Sequence, residues 1–250
     1  MGLLDFLFGG SSQERQLDKL EDTLTNMYKQ DSERRYAIQD LRDMRSPEAV
    51  EVLLTRFKET APNTTVDAEE KELVYDVLVE LGQTTDLDIR GLVIEHLKEA
   101  EEKINWPMKV LTDLLDYEEM TEVIGELLDT CTTGFKRNPE KKQELMLQAT
   151  EVRSEELAQK LVPFLDDANE TIRFLAVDAV AHQGYQDIIK EPLRTRLVEE
   201  DSFRIIKKIV DVFLEHQGWT IPEEAQPDVE RALPEEFGIH KEGHIYRRRV

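Results

Sequence analysis

Apolar side chains recur three or four positions apart along most of this chain, a spacing that places them on one face of an α-helix. In residues 13–29, for example, Leu17, Leu20, Leu24 and Met27 share a face. Breaks rich in glycine, proline, serine or acidic residues divide the rest of the chain into paired helical segments. The pairs are residues 33–44 with 47–57, 73–81 with 89–97, 108–115 with 120–128, 144–152 with 155–165, and 172–181 with 188–198, and residues 203–214 open a last unit. The pattern predicts an all-α fold made of helical hairpins.

Part of this pattern is repeated in the sequence itself. Residues 176–185 and 210–219 both end in His-Gln-Gly followed by an aromatic residue, and the two glycines, Gly184 and Gly218, lie 34 positions apart. When the first helices are aligned on a central small or branched residue, a new repeat starts every 31 to 37 positions. The aligned residues are Ala37, Val74, Val110, Leu145, Ala176 and Val210. A period of this length predicts about five to six stacked hairpins, which present an extended surface.

The repeated segment resembles the HEAT-repeat family, in particular the short bacterial HEAT-like repeats that also occur in phycobilin lyases. The resemblance rests on turn aspartates, an arginine, a pair of small residues and a helix-ending glycine. These are Asp166, Asp167, Arg173, Ala176, Ala179 and Gly184 in one copy, and Asp201, Arg204 and Gly218 in the other, where Val210 and Phe213 replace the small pair. The resemblance is good over residues 161–219, fair over 33–97 and poor over 104–142, which leaves open whether 104–142 is a true repeat.

This resemblance implies a right-handed α-solenoid in which the aspartates, arginines and glycines have structural roles. It also implies that the second helix of each hairpin lines a concave face. In the best-matching repeat, the second helix would expose Asp187, Lys190, Glu191 and Arg194 to a partner. HEAT motifs identify a fold and not a function.

The two ends of the chain depart from the repeat. Residues 1–12 form an apolar segment with a Gly-Ser hinge, residues 13–219 form a capping helix and the repeats, and residues 220–250 form an irregular cap or tail. Prolines exclude a long helix from the last segment, although residues 227–233 suit a short one. The apolar side chains of the first segment are Leu3, Leu4, Phe6, Leu7 and Phe8. They could cap the first hairpin, act as a docking peptide, or lie in a membrane interface.

Charge narrows the class of partner. The chain has 54 acidic and 32 basic side chains, a net charge of −22, which opposes binding to a nucleic-acid backbone and favours a protein partner with a basic surface. Acidic residues concentrate near one turn, and we take them as candidate partner-binding residues: Asp113, Asp116, Glu119 and Glu122. Other charged runs, such as residues 140–144, are typical of solvent-exposed helix faces.

Candidate catalytic groups are few. Cys131 is the only cysteine, which fits a reducing cytoplasm, and the sequence places no base beside it to lower its pKa. His240 and His244 have the spacing of two metal ligands on one helix, but nearby glycines argue against a helix there. His182 and His216 recur at one repeat position, where capping of a helix C-terminus is the favoured role. We therefore expect no catalytic residue, no metal and no cofactor.

These observations favour a non-enzymatic scaffold or adaptor in the cytoplasm that binds another protein through its helical surface. Two alternatives stay open. One is an enzyme or enzyme-assembly factor resembling the HEAT-like lyases, and the other is a membrane-peripheral adaptor held by residues 1–8. The start of the chain lacks the basic region of a signal peptide, and no apolar run reaches the length of a membrane-spanning helix. The oligomeric state is not determined by the sequence.

Overall fold

The computed structural model describes residues 12–216 and 218–248. Within these residues the fold is all-α, as the hydrophobic pattern predicts, apart from one short β-hairpin. The chain forms two compact units, the first ending at Asp116 and the second beginning at Tyr117. The apolar side chains near the start of the chain lie outside the described residues: Leu3, Leu4, Phe6, Leu7 and Phe8.

Each helical segment that the pattern predicts overlaps a helix, although the ends differ by several residues. In unit 1 they are α1 (Ser12–Thr25), α2 (Asp31–Met44), α3 (Pro47–Lys58), α4 (Thr64–Thr84), α5 (Ile89–Glu99) and α6 (Asn105–Leu114). In unit 2 they are α7 (Tyr117–Asp129), α8 (Glu140–Gln148), α9 (Glu155–Leu161), α10 (Glu170–Gln183), α11 (Gln186–Glu199), α12 (Phe203–Glu215) and α13 (Gln226–Ala232). Short 3-10 turns occupy Val162–Asp166 and Glu223–Ala225, and the two strands are β1 (Phe237–Ile239) and β2 (Ile245–Arg247).

Local chemistry sets several helix ends. The Ser46 hydroxyl accepts a hydrogen bond from the Ala49 N–H at 3.3 Å, and Pro47 occupies the first position of α3. This arrangement satisfies an amide that would otherwise have no partner at the start of the helix. At the other end of a helix, α10 stops at Gly184, whose φ of 73° lies in the left-handed region that favours glycine.

In unit 1 the helices pack in two layers. α2 packs against α4 and α4 against α6, while α3 packs against α5 and α1 covers both α2 and α3. Ile38, Leu53, Val74, Leu78 and Leu111 are fully buried between them. Each such side chain contributes about 1.5–3 kcal/mol when it leaves water. The apolar faces seen in the sequence thus become the contacts between successive hairpins of this unit.

Unit 2 has the same order of layers. α8 packs against α10 and α10 against α12, while α7 packs against α9, α9 against α11, and α11 against α13. The last helix therefore adds to the layer of second helices, although it lies in a segment for which we expected an irregular cap or tail.

The rest of that final segment is also ordered. β1 and β2 pair antiparallel, with Phe237 opposite Arg247, and Trp219, Ile221 and Phe237 are buried. The Ile221 N–H donates to the Gly243 carbonyl at 2.8 Å, and a Cβ on Gly243 would lie 2.4 Å from the Ile221 oxygen. Glycine is required at this turn, where φ is 88°. The sequence does not predict this ordered structure, because the segment is rich in proline and has no helical period.

Each unit also buries charged groups. In unit 1, Glu70 is fully buried and accepts hydrogen bonds from Arg34 and Arg56 at 2.9–3.0 Å. In unit 2, Lys142 and Asp167 are buried together, with their charged atoms 2.5 Å apart. The expectation that residues 140–144 face solvent is therefore wrong for Lys141 and Lys142, which are both buried. For Lys142, a carboxylate from another helical hairpin compensates the charge.

Candidate partner-binding cleft

The described part of unit 2 contains a cleft of about 650 Å³ between α7 and α9. Gly125, Leu157 and Lys160 line its centre, Tyr117 lies at one end, and glutamates from both helices complete the lining. Leu157 itself is buried. A volume of this size falls within the range of small-molecule pockets, about 300–1,000 Å³.

The Lys160 ammonium group has partners within the protein, some of them in the cleft lining. Its side chain crosses Gly125, and the ammonium donates to the Gly125 carbonyl at 3.3 Å. It lies 2.6 Å from a carboxylate oxygen of Asp129 and 3.3 Å from one of Glu156. The hydrogen bond to Asp129 is the main reason that the pKa of Lys160 is raised above its ordinary value. The positive charge of Lys160 is therefore compensated by the protein itself.

The end of the cleft is fixed by hydrogen bonds. The Tyr117 hydroxyl accepts from the Arg153 backbone N–H at 2.7 Å, yet 55 % of Tyr117 stays exposed. The buried amide of Gln183 donates to two backbone carbonyls of the turn before α9 at 2.8 and 3.0 Å, and accepts from the Ser154 N–H at 3.0 Å. The Ser154 hydroxyl in turn caps α9 by accepting from Leu157. The tyrosine ring is thus held in a defined position at the cleft mouth.

The cleft wall on α7 is a stripe of carboxylates. Glu118, Glu122 and Glu126 lie one helical turn apart, and Glu156 adds a fourth carboxylate from α9. Among the described residues, Glu118 and Glu122 make no ion pair. Like charges four positions apart destabilise a helix by about 0.2–0.5 kcal/mol per pair. Repulsion between these carboxylates therefore destabilises α7, and an external cation bound beside them would reduce that repulsion.

Of the four acidic residues that the sequence singles out near one turn, Glu122 lines this cleft. In unit 1, Asp113 accepts a hydrogen bond from the Tyr75 hydroxyl, which raises the pKa of Tyr75 to about 12. Asp116 and Glu119 also make interactions within the protein. Asp113 thus makes a hydrogen bond within the protein, whereas Glu122 lies on the surface of the cleft.

The α11 candidates lie outside the lining of this cleft. Arg194 forms an ion pair with Glu191, and this hydrogen bond is the main reason that the pKa of Arg194 is raised. Asp187 and Glu191 are exposed, whereas Lys190 and Arg194 are half-buried. These four residues continue the layer of second helices beyond α9 without joining the cleft.

The residues that the family resemblance marks as structural lie mostly in contacts between hairpins. Arg173 pairs with Glu200 at 2.9 Å and donates to the Asp167 carbonyl at 3.0 Å. Neighbouring helices are also joined by the pairs Arg204–Glu170, Arg196–Asp166 and Lys142–Asp167. Asp201 is exposed, and a Cβ on Gly218 would meet no atom within 4 Å. The pairs join neighbouring helices and turns, and they lie outside the lining of the cleft.

The nucleophile and metal candidates lie elsewhere. Burial raises the pKa of the Cys131 thiol, whose sulfur lies 3.6 Å from the Leu127 carbonyl oxygen. His240 and His244 flank the turn between β1 and β2, and His216 Nδ1 lies 2.8 Å from the Val212 carbonyl in the last turn of α12. In residues 12–216 and 218–248, no group of three His, Cys, Asp or Glu side chains is placed to hold a metal ion.

No described helix is both long enough and apolar enough to cross a bilayer. Comparison with protein-family models, characterised proteins and solved structures finds no match to this chain. The candidate site therefore rests on its geometry alone.

Sequence reasoning missed most of the cleft. It singled out Glu122 but not Tyr117, Gly125 or Lys160, which only the packing of α7 on α9 brings together. One signal was available, because glutamates at 118, 122 and 126 follow the helical period and form a single stripe.

Proposed function

We propose that this protein is a non-enzymatic scaffold or adaptor that binds a basic segment of another protein in the cleft between α7 and α9. The observation that carries the proposal is the pair Glu118 and Glu122 on the cleft wall. Both carboxylates face a preformed cleft and have no ion pair within the described residues. A lysine or arginine from a partner would supply the missing charge.

The charges of the cleft support a basic ligand. Four glutamates line it, against the two cations Arg153 and Lys160. Lys160 is compensated by Asp129 and Glu156, so the remaining excess of the lining is negative. Oppositely charged surfaces steer association and fix register.

The other surfaces of the cleft can contact the methylene groups of a long cationic side chain. The methylene groups of lysine and arginine can lie along apolar surface while the charged head stays in water. Tyr117 offers an exposed ring over which such a cation is attracted by the negative face of the π-system. Because Gln183 and Ser154 hold the turn beside it, the site loses little conformational entropy on binding.

The lining of the cleft also favours binding over catalysis. It contains neither histidine nor cysteine, and burial keeps the Cys131 thiol protonated at neutral pH. A nucleophile paired with a base, as covalent catalysis requires, is not assembled at this site.

The layers within each unit support a finer proposal for the architecture. First helices pack on first helices and second on second in both units, as expected for a right-handed α-solenoid of about five to six HEAT-like hairpins. We place such a scaffold in the cytoplasm, where a single free cysteine remains reduced.

The test is binding of a labelled peptide of alternating lysine and alanine, measured by fluorescence anisotropy, with a glutamate–alanine peptide of equal length as the negative probe. We expect the lysine peptide to bind and the variant Glu118→Gln/Glu122→Gln to bind it about tenfold more weakly, a loss of ~1.4 kcal/mol. Raising the salt concentration should weaken binding, because the contacts are exposed.

The matched control is Asp18→Asn/Glu21→Gln, which makes the same change of charge at two exposed positions of α1. If this control weakens binding as much as the cleft variant, the effect is only one of net charge and the cleft is not the site. Equal binding of the lysine and glutamate peptides would also overturn the proposal.

A further inference from the structure

We propose that the cleft of one molecule binds the loop 132–138 of a second copy, so that the protein associates head to tail. The inference rests on the proposed function, since it names a partner for the same cleft. It comes from a second surface of unit 2 whose chemistry is the opposite of that of the cleft.

The buried ammonium group of Lys142 anchors the loop 132–138. Lys142 donates to the backbone carbonyls of Thr132 and Gly134 at 3.2 and 3.1 Å, and its ammonium lies 2.5 Å from Asp167. Removing two charges from water costs several kcal/mol per ion unless each is well compensated. The compensated ion pair of Lys142 and Asp167 therefore holds this surface loop in place.

Further hydrogen bonds fix the tip of the loop. Asn169, just before α10, accepts from the Lys136 backbone N–H and donates to its carbonyl, both at 3.0 Å. The Ala168 N–H donates to the Thr133 carbonyl at 2.9 Å. These hydrogen bonds stabilise the conformation of the loop without a partner, which lowers the entropy cost of docking.

The anchored loop presents an aromatic side chain to solvent. Phe135 is 73 % exposed, and Arg137 beside it is exposed and makes no ion pair among the described residues. A rigidly held aromatic residue next to an arginine is a common composition for the energetic centre of a protein interface. The chain as a whole has a net charge of −22, whereas this loop is positively charged.

The loop and the cleft are complementary. Phe135 can pack against the exposed ring of Tyr117 and the apolar centre of the cleft, while Arg137 reaches the carboxylates of Glu118 and Glu122. Both surfaces belong to unit 2 but differ from each other, so the contact is heterologous and each copy offers one loop and one cleft. Repulsion between two acidic molecules is screened beyond about 8 Å at physiological salt, which leaves this short-range contact in place.

The test is sedimentation velocity of the full chain at physiological salt, from micromolar to submillimolar concentration. Wild type should form dimers and then larger species as the concentration rises. A loop variant, Phe135→Ala/Arg137→Glu, and a cleft variant, Glu118→Lys/Glu122→Lys, should each associate at least about tenfold more weakly. All four positions lie on the surface, and circular dichroism checks that the variants fold.

Mixing the two variants gives the decisive result. The loop variant keeps an intact cleft and the cleft variant keeps an intact loop, so the mixture should recover the association that each variant alone has lost. Matched controls in unit 1, Arg15→Glu/Tyr28→Ala and Asp18→Lys/Glu21→Lys, should associate like wild type.

A wild type that stays monomeric at every concentration overturns the inference, as does association that both variants retain, or a mixture that fails to pair. A monomeric wild type that still binds the lysine–alanine peptide through Glu118 and Glu122 would leave the proposed function standing, with a different protein as partner. Loss of both results would remove both proposals.

Discussion

Replacing Lys142 with methionine removes an ammonium group that lies 2.5 Å from a carboxylate oxygen of Asp167 and keeps most of the side-chain volume. Only 2 % of the lysine side chain and none of the aspartate side chain is exposed. After the substitution the Asp167 carboxylate stays buried, with the Asn169 backbone N–H, 2.8 Å from its other oxygen, as a donor. The variant thus leaves a negative charge in the interior without its counter-ion.

The size of the effect follows from this burial. Removing one partner of a buried ion pair costs about 3–5 kcal/mol, a large part of the roughly 5–15 kcal/mol that stabilises a typical domain. The carbonyls of Thr132 and Gly134 lose the same donor, but they lie on a surface loop where water can replace it. We therefore expect the free energy of unfolding to fall by about 3–5 kcal/mol.

A double variant separates the charge from the packing. Lys142→Met/Asp167→Asn removes both charges and keeps an acceptor for the Asn169 N–H. Replacing both members of a buried ion pair is often nearly neutral, so the double variant should be more stable than the single one. Lys207→Met, on an exposed lysine of α12, is the control and should change stability by no more than about 0.5 kcal/mol.

The assay is urea unfolding followed by circular dichroism, combined with hydrogen exchange of the loop 132–138. Loop amides should exchange faster in the single variant, because their anchor is lost. The reasoning fails if the single variant loses less than about 1 kcal/mol, or if the double variant is as unstable as the single one.

The buried Glu70 and the half-buried His96 and Cys131 each have a measurable effect. Glu70→Gln leaves Arg34 and Arg56 facing each other without their shared carboxylate, so urea unfolding should report a loss of about 3–5 kcal/mol, and a loss below about 1 kcal/mol would contradict the buried network. Burial and the nearby charge of Lys58 lower the pKa of His96 to about 4, so the neutral form is favoured in the folded state. Between about pH 6.5 and 4 the unfolded state binds a proton at His96 that the folded state does not, so the free energy of unfolding falls as the pH falls through this interval. A His96→Gln variant should lose less stability over that interval. Equal pH profiles of the variant and the wild type would refute the assignment. Because burial raises the pKa of Cys131, iodoacetamide should label the native thiol much more slowly than the urea-unfolded thiol at mildly alkaline pH, and equal rates would show that the thiol is accessible and ionised.

The helical segments and their order along the chain can be predicted from local sequence patterns. Apolar residues at helical spacing, the Ser46-Pro47 start signal and the repeated glycines at 184 and 218 are local features, each read within a few positions of the chain. α3 begins at Pro47 directly after Ser46, and α10 ends at Gly184. The all-α class needed nothing more than this local information.

Which polar residues are buried and which surfaces meet depends on how the helices pack. Lys142 lies in a charged run that is typical of a solvent-exposed helix face, and no local pattern marks Glu70 as buried. Their partners Asp167 and Arg34 lie 25 and 36 positions away in the chain. The cleft likewise exists because α7 packs beside α9, which brings Tyr117 and Lys160 to one place. A charge can leave water only where a compensating group arrives from another helix, and that arrival is a property of packing which no local pattern contains.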